Sequence, residues 1–217
     1  MLRMRHALCS GTNALGSQSV RQPKEPDSND KAIDTYTSPI FVLAAISLAP
    51  NNSLKNDIRE DLHKWFLAAQ RIVVAGIGNE IRKDDFVGVS IVQSLQAKTS
   101  RNVFLIECET VPESFTEQIV AFNPTHVLLI DAAIIGLNPG ESRLVPPEKL
   151  TSSSSYSSHM LPLRIFCEYV SQASKAKIGL LLIEPKDTEF GEGLTPELKA
   201  AAESISKILL DILCERG

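Results

Sequence analysis

The chain has 217 residues, 43% of them hydrophobic and 22% charged, enough for one packed domain of ordinary size with sequence to spare. A formal net charge of −4 with scattered Lys and Arg excludes a nucleic-acid partner, because no basic stripe is available to neutralise phosphates. The four cysteines, Cys9, Cys108, Cys167 and Cys214, lie far apart with no CxxC pair, which excludes a zinc ribbon and a disulfide framework and fits a reduced, intracellular protein. Cys108, Cys167 and Cys214 sit in apolar or helical patterns and are read as small buried hydrophobes.

Residues 1–22 are rich in Arg and Ser and lack acids, a composition that superficially suits an organellar transit peptide. It then turns acidic and polar from Glu25 to Asp34, and no periodicity follows up to about Asn52. The apolar run Pro39 to Pro50 (PIFVLAAISLAP) is too short to span a membrane and is bracketed by prolines. Residues 1–52 are therefore expected to be a disordered or loosely attached leader, and residues 53–217 the folded domain.

From Ser53, the residues Leu54, Ile58, Leu62, Trp65 or Phe66, and Ala69 recur at helical spacing and predict a short amphipathic helix. Arg71 to Gly78 (RIVVAGIG) is a β-branched run ending in glycines, as in a buried parallel strand. Asp84 to Lys98 is helical, with Phe86, Val89, Val92 and Leu95 on one face. A second strand over Asn102–Cys108 leads to a second helix over Pro112–Phe122, with its proline in the first turn. His126 to Ala132 is a third strand, Gly136 to Gly140 is turn chemistry, and Glu141 to Val145 suits a short edge strand. After the polar loop Thr151 to Ser158 come a third helix over Pro162–Ser174, a strand over Lys177–Glu184 and a glycine-containing loop. The last helix has Thr195 as its cap and Pro196 at its first position.

Strands alternating with helices predict an α/β fold in three layers, with a mostly parallel twisted sheet of about five strands and helices on both faces. In such sheets the ligand site lies beyond the carboxyl ends of the strands. Three polar features fall there: the stretch Gly76 to Asp85 after the first strand, Asp131 after the third, and His159 before the third helix. Gly76-x-Gly78 follows a strand, but a dinucleotide fingerprint fails because position 81 is isoleucine, and no Walker loop is present. No nucleotide cofactor is expected. Taken singly, Asp84 or Asp85 suits a helix cap, Asp131 a strand end and His159 a surface position. Together, Asp85, Asp131 and His159 make a mixed oxygen and nitrogen set that suits nickel, zinc or manganese. There is no Gly-x-Ser-x-Gly elbow, no Cys with an obvious His partner and no His-Glu-x-x-His motif to compete with them.

The runs GIGNEIRKDDFVGV, LLIDAAIIGLNPGE, SSHMLPL and GEGLTPELKAA resemble, in order and spacing across about residues 71 to 215, the nickel–iron hydrogenase maturation endopeptidases. The resemblance implies that Asp85, Asp131 and His159 contact nickel carried by the substrate, the precursor of a hydrogenase large subunit. It implies that the enzyme senses metal loading and then removes a C-terminal extension, acting in the cytoplasm, with no membrane partner and as a monomer. Either a metal held by the three residues polarises the scissile carbonyl, or a carboxylate (Asp85 or Asp131) acts as general base in the manner of an acid protease. Gly78 and Asn79 are expected to offer amide donors to the substrate. The alternative is a non-catalytic, metal-sensing assembly factor on the same fold. This chain departs from the family pattern at Phe86, where many members have glycine, and that side chain is expected to narrow the cleft or shift the helix start.

Overall fold

The computed structural model describes residues 57–96, 99–150 and 160–214. The leader expected over residues 1–52 and the candidate ligand His159 lie outside the described residues. α1 (Ile58–Phe66) is capped by Asp57, whose carboxylate accepts from the Arg59 N–H. It leads into β1 (Ile72–Ile77), every residue of which is buried. A 3₁₀ turn, Lys83–Phe86, precedes α2 (Val87–Leu95), so the α-helix starts three residues later than its apolar periodicity suggests and ends at Leu95. β2 (Val103–Glu109) follows, then a 3₁₀ turn over Pro112–Phe115 and α3 (Thr116–Phe122). β3 (His126–Ala132) has the predicted bounds, and the short β4 (Ser142–Val145) comes next. α4 (Met160–Ser174), β5 (Lys177–Ile183) and α5 (Pro196–Cys214) complete the domain.

The five strands form one sheet in the order β2-β1-β3-β5-β4. All neighbours run parallel except β4, which pairs antiparallel with β5 at the edge. Side chains alternate across the strands and feed two apolar cores. Val74, Leu128, Ile130 and Leu181 pack with α1, α2 and α5, whereas Val73, Val127, Leu129 and Leu180 pack with Ile119 of α3 and Phe166 and Val170 of α4. This is the three-layer α/β arrangement predicted from the sequence. Cys108 and Cys167 are buried in it as expected, but Cys214 is exposed, because it falls on the outer side of the last turn of α5. No helix among the described residues is long and apolar enough to cross a membrane.

The strand order reverses at β1, which sends its connection to β2 on one side while β3 lies on the other. The crevice of an open parallel sheet opens at that reversal, between the carboxyl ends of β1 and β3. Two glycines bring α2 down onto this point. A Cβ on Gly88 would stand 2.2 Å from the Ile130 carbonyl oxygen and 2.4 Å from that of Ile77, and one on Gly76 would stand 2.3 Å from the Gly88 oxygen. Helix and sheet therefore touch backbone to backbone, which no other residue type permits. Gly88→Ala is expected to destabilise the domain by about 2–3 kcal/mol, seen as a fall of roughly 5–10 °C in Tm by thermal denaturation. An unchanged Tm would show that the contact is not a fixed part of the fold.

Candidate active site

Asp84 and Asp85 are adjacent on the 3₁₀ turn and both are fully buried. Neighbours on such a turn point about 120° apart, so the two acids face different surroundings. Asp84 turns to the loop between β5 and α5. Its Oδ2 accepts from the Lys186 N–H (2.9 Å), the Asp187 N–H (2.9 Å) and the Thr195 hydroxyl (3.0 Å), and its Oδ1 accepts from the Thr195 N–H (2.7 Å). One carboxylate thus gathers both ends of a long strap, and the Thr195 hydroxyl predicted as a helix cap donates to it. The strap is stitched further by the Lys83 N–H to the Gly191 carbonyl (2.9 Å), the Gly191 N–H to the Ile81 carbonyl (3.0 Å) and an ion pair between Lys83 and Asp187. Lys83 is held in the left-handed region (φ 42°), a strained conformation that persists where its surroundings over-determine it.

Asp85 turns toward the crevice. Its Oδ2 accepts from the Asn79 N–H at 3.0 Å, while its Oδ1 is buried with no hydrogen-bond partner. Asp131, near the end of β3 and completely buried, has no partner in good hydrogen-bond geometry for either carboxylate oxygen among the described residues. Three of the four oxygens of this pair are therefore buried without a well-formed hydrogen bond among the described residues, an arrangement rare enough in proteins to require a functional or ionic explanation. Burial pushes the pKa of Asp85 up to about 7, against the opposing pull of the Asn79 N–H and the Arg82 guanidinium. Asp131 is pushed well above the carboxylate range, first by burial and then by the negative charge of Asp85, with the Ala132 N–H pulling the other way. The second cause places Asp131 within reach of the charge on Asp85.

Gly78 and Asn79, expected to present amides to a substrate, have those N–H groups engaged within the protein. The Gly78 N–H donates to the Glu109 carbonyl (2.8 Å) and the Asn79 N–H to Asp85. Gly78 also allows the chain to fold back on itself. At φ 149°, a Cβ there would stand 2.0 Å from the Asp85 carbonyl oxygen. Both residues thus shape the loop that aims Asp85. Phe86 is half-buried at the end of the 3₁₀ turn, directly before α2.

Two features escaped the sequence reading. One is the clamp at Asp84, for which the only sign was a second acid beside the first. The other is Glu184, just past β5, whose Oε2 accepts from the Ile135 (2.7 Å) and Leu137 (3.1 Å) N–H groups and so fixes the loop after Asp131. Among the described residues, no three His, Cys, Asp or Glu side chains are grouped to hold a metal. The site contributes two carboxylates to any such set.

A family model described as hydrogenase maturation protease matches residues 89–212. A protein of Methanocaldococcus jannaschii named as a hydrogenase maturation protease is 32% identical over 154 residues, covering 67% of this chain and 90% of its own length. The hydrogenase 3 maturation protease of Escherichia coli K12 is 29% identical over 136 residues, 61% of this chain and 85% of its own length. Among solved structures, the NiFe hydrogenase maturation protease HycI from Thermococcus kodakarensis superposes with a TM-score of 0.68 at 33% identity, covering 71% of this chain and 99% of that one. The family model spans more than half of the chain and covers α2 through most of α5, including Asp131; the chain belongs to the hydrogenase maturation protease family.

Proposed function

We propose that this protein is an endopeptidase that removes a C-terminal extension from the large-subunit precursor of a nickel–iron hydrogenase once nickel has been inserted. The observation that carries the reading is the buried Asp85–Asp131 pair, whose three unpartnered oxygens fit a cation brought by the substrate. The nickel is cargo of the precursor, and no nucleotide takes part. His159 completes a mixed oxygen and nitrogen set of the kind divalent transition metals favour. The path of the chain supports its inclusion. α4 ends three residues before β5 begins, touches the turn that follows β2, and at 15 residues is about 22 Å long. Met160, the residue after His159, therefore opens α4 toward the carboxyl edge of the sheet.

The carboxylates divide the work. Asp85, with a pKa near 7, is partly ionised at neutral pH and suits a general base that takes a proton from the water attacking the scissile carbonyl. Asp131 keeps its proton until a positive charge faces the pair, which makes it the sensor of loading. The Asn79 N–H holds Asp85 Oδ2 and leaves Oδ1 for the reaction. Gly78 and Asn79 serve the substrate through Asp85 rather than by their own N–H groups. This favours an aspartic-type mechanism over one in which the metal polarises the carbonyl. The protein acts as a monomer in the cytoplasm, before the hydrogenase is assembled.

The test is intact-mass spectrometry of the precursor, nickel-loaded and nickel-free, after incubation with the full chain. Loss of a C-terminal peptide is expected only from the loaded form. Asp85→Asn should slow single-turnover cleavage by at least about 100-fold, and His159→Ala should lose the preference for loaded precursor together with rate. If loaded precursor bound but kept its full mass, the protein would be a non-catalytic assembly factor.

The pair also predicts a pH dependence of the metal-free chain. Both carboxylates have folded-state pKa values above the usual value near 3.9. The folded state therefore holds more protons than the unfolded one, and stability from these groups is full below about pH 4 and lost as pH rises, through about 7 for Asp85 and onward to higher pH for Asp131. Asp131→Asn removes the cost of protonating this group on folding, so it should stabilise the protein by about 1–3 kcal/mol at pH 7. The gain over wild type should grow between about pH 4 and 7 in denaturant titrations. A gain that is absent, or flat across that range, would mean that Asp131 is not held protonated.

A further inference from the structure

Of the large apolar side chains that stand exposed among the described residues, four sit on the loops that follow strands. They are Ile81 after β1 (53% exposed), Val111 after β2 (42%), Ile134 after β3 (51%) and Phe190 after β5 (62%). Exposed apolar surface is thus gathered at the carboxyl edge, around the acid pair, where scattered single residues would need no explanation.

Ile81 and Phe190 are the best defined of the four. They belong to the two segments stitched together by the Arg82–Gly191 bridge and the Gly191 N–H to Ile81 carbonyl bond (3.0 Å). The Arg82 guanidinium lies 5.2 Å from the centre of the Phe190 ring, a cation–π contact that orients the ring. Arg82 is also a cation felt by Asp85, so one side chain links the aromatic residue to the catalytic carboxylate. Below them the strap is anchored by the four bonds to Asp84 and by Gly191, where a Cβ would stand 2.8 Å from Lys83 Cε. An isoleucine and a phenylalanine are therefore held in water on a rigid frame. That arrangement gives the folded monomer nothing, and its return comes in a complex.

We propose that Ile81 and Phe190 form a docking ledge for an extended, apolar stretch of the polypeptide substrate beside the bond that is cut. The proposal rests on the endopeptidase reading. The occupant follows from the setting. The ledge is continuous with the carboxylate pair through Arg82, and a chain whose peptide bond reaches Asp85 must lie along the same loops. In extended form it would alternate its side chains and press apolar ones on the ledge. Val111 and Ile134 extend the apolar rim along the carboxyl edge.

The experiment measures binding and cleavage separately, with nickel-loaded precursor and the full chain carrying Ile81→Ser, Phe190→Ser or both. Leu67→Ser, an exposed apolar residue just after α1 and before β1, is the control. Each ledge variant should keep the wild-type Tm, since neither side chain is in the core. Each should weaken precursor binding by roughly tenfold or more, with a larger loss in the double variant, while single-turnover cleavage at saturation stays within about twofold. Leu67→Ser should change neither. Unchanged binding by the double variant would overturn the ledge, even if wild type cleaves. Wild type that binds without cutting would remove the endopeptidase reading while the variants still decided the ledge. Wild type that neither binds nor cuts would remove both. Sedimentation gives the remaining outcome: a wild-type dimer that the double variant dissolves, with precursor binding intact, would assign the ledge to self-association instead.

Discussion

Two fully buried carboxylates meet at the carboxyl ends of β1 and β3, and Asp131 feels the charge of Asp85. Like charges at short range in a poorly screened site cannot both be ionised without a compensating cation. Taking such groups from water costs several kcal/mol each, and three of the four oxygens receive no hydrogen bond in return. A structure that maximised its own stability would place Asn or Leu at one of these positions. The arrangement makes sense only if the deficit is settled from outside, and the rest of the molecule is organised so that the deficit cannot be relieved from within.

Three devices prevent that relief. The glycine contact of α2 with β1 and β3 leaves no room for the helix to shift and admit water. Asp84 ties the β5–α5 strap to the acid loop through four bonds of 2.7–3.0 Å, so Asp85 cannot swing out without breaking them. Glu184 fixes the backbone just beyond Asp131. Each is a buried acid or a missing side chain in direct contact with backbone, which is the stiffest material the fold offers. The two neighbouring aspartates thus have opposite roles set by hydrogen bonding alone. Asp84 is surrounded by donors and Asp85 is nearly stripped of them.

This distinction marks the limit of what the sequence made legible. The strands could be read because β-branched runs such as Arg71 to Gly78 suit a strand buried on both faces, and Asp131 stood out as an acid at the end of the apolar run His126 to Ala132. Alternation of strands and helices gave a parallel sheet with its site at the carboxyl ends, whereas the reversal of strand order between β1 and β3 is seen only in the structure. What could not be read depends on contacts between segments far apart in the chain. Nothing local distinguishes Asp84 from Asp85, because the difference is made by Lys186, Asp187 and Thr195 about a hundred positions away. The engagement of the Gly78 and Asn79 amides was hidden for a similar reason, since one of them is paired with Glu109 at the end of β2. Cys214 was misread because it is the last residue of α5 and falls outside the face that buries Ile212 and Leu213.

The same physics would give the proposed endopeptidase its selectivity toward a loaded precursor. A ligand shifts an equilibrium only by its differential affinity for two states. Here the states are the protonated and the ionised pair. A substrate without a cation meets a pocket in which Asp131 is protonated and Asp85 only partly ionised, and gains little from it. A substrate that brings positive charge finds two carboxylates whose ionisation has been withheld by burial, and it recovers that cost as binding energy while releasing protons. The deeper the pair is buried, the larger this difference becomes, so the instability of the empty site and its power to discriminate are one quantity. In the proposed division of work, Asp85, whose pKa is pushed up to about 7, is the base, and Asp131, held well above the carboxylate range, is the sensor of the cation.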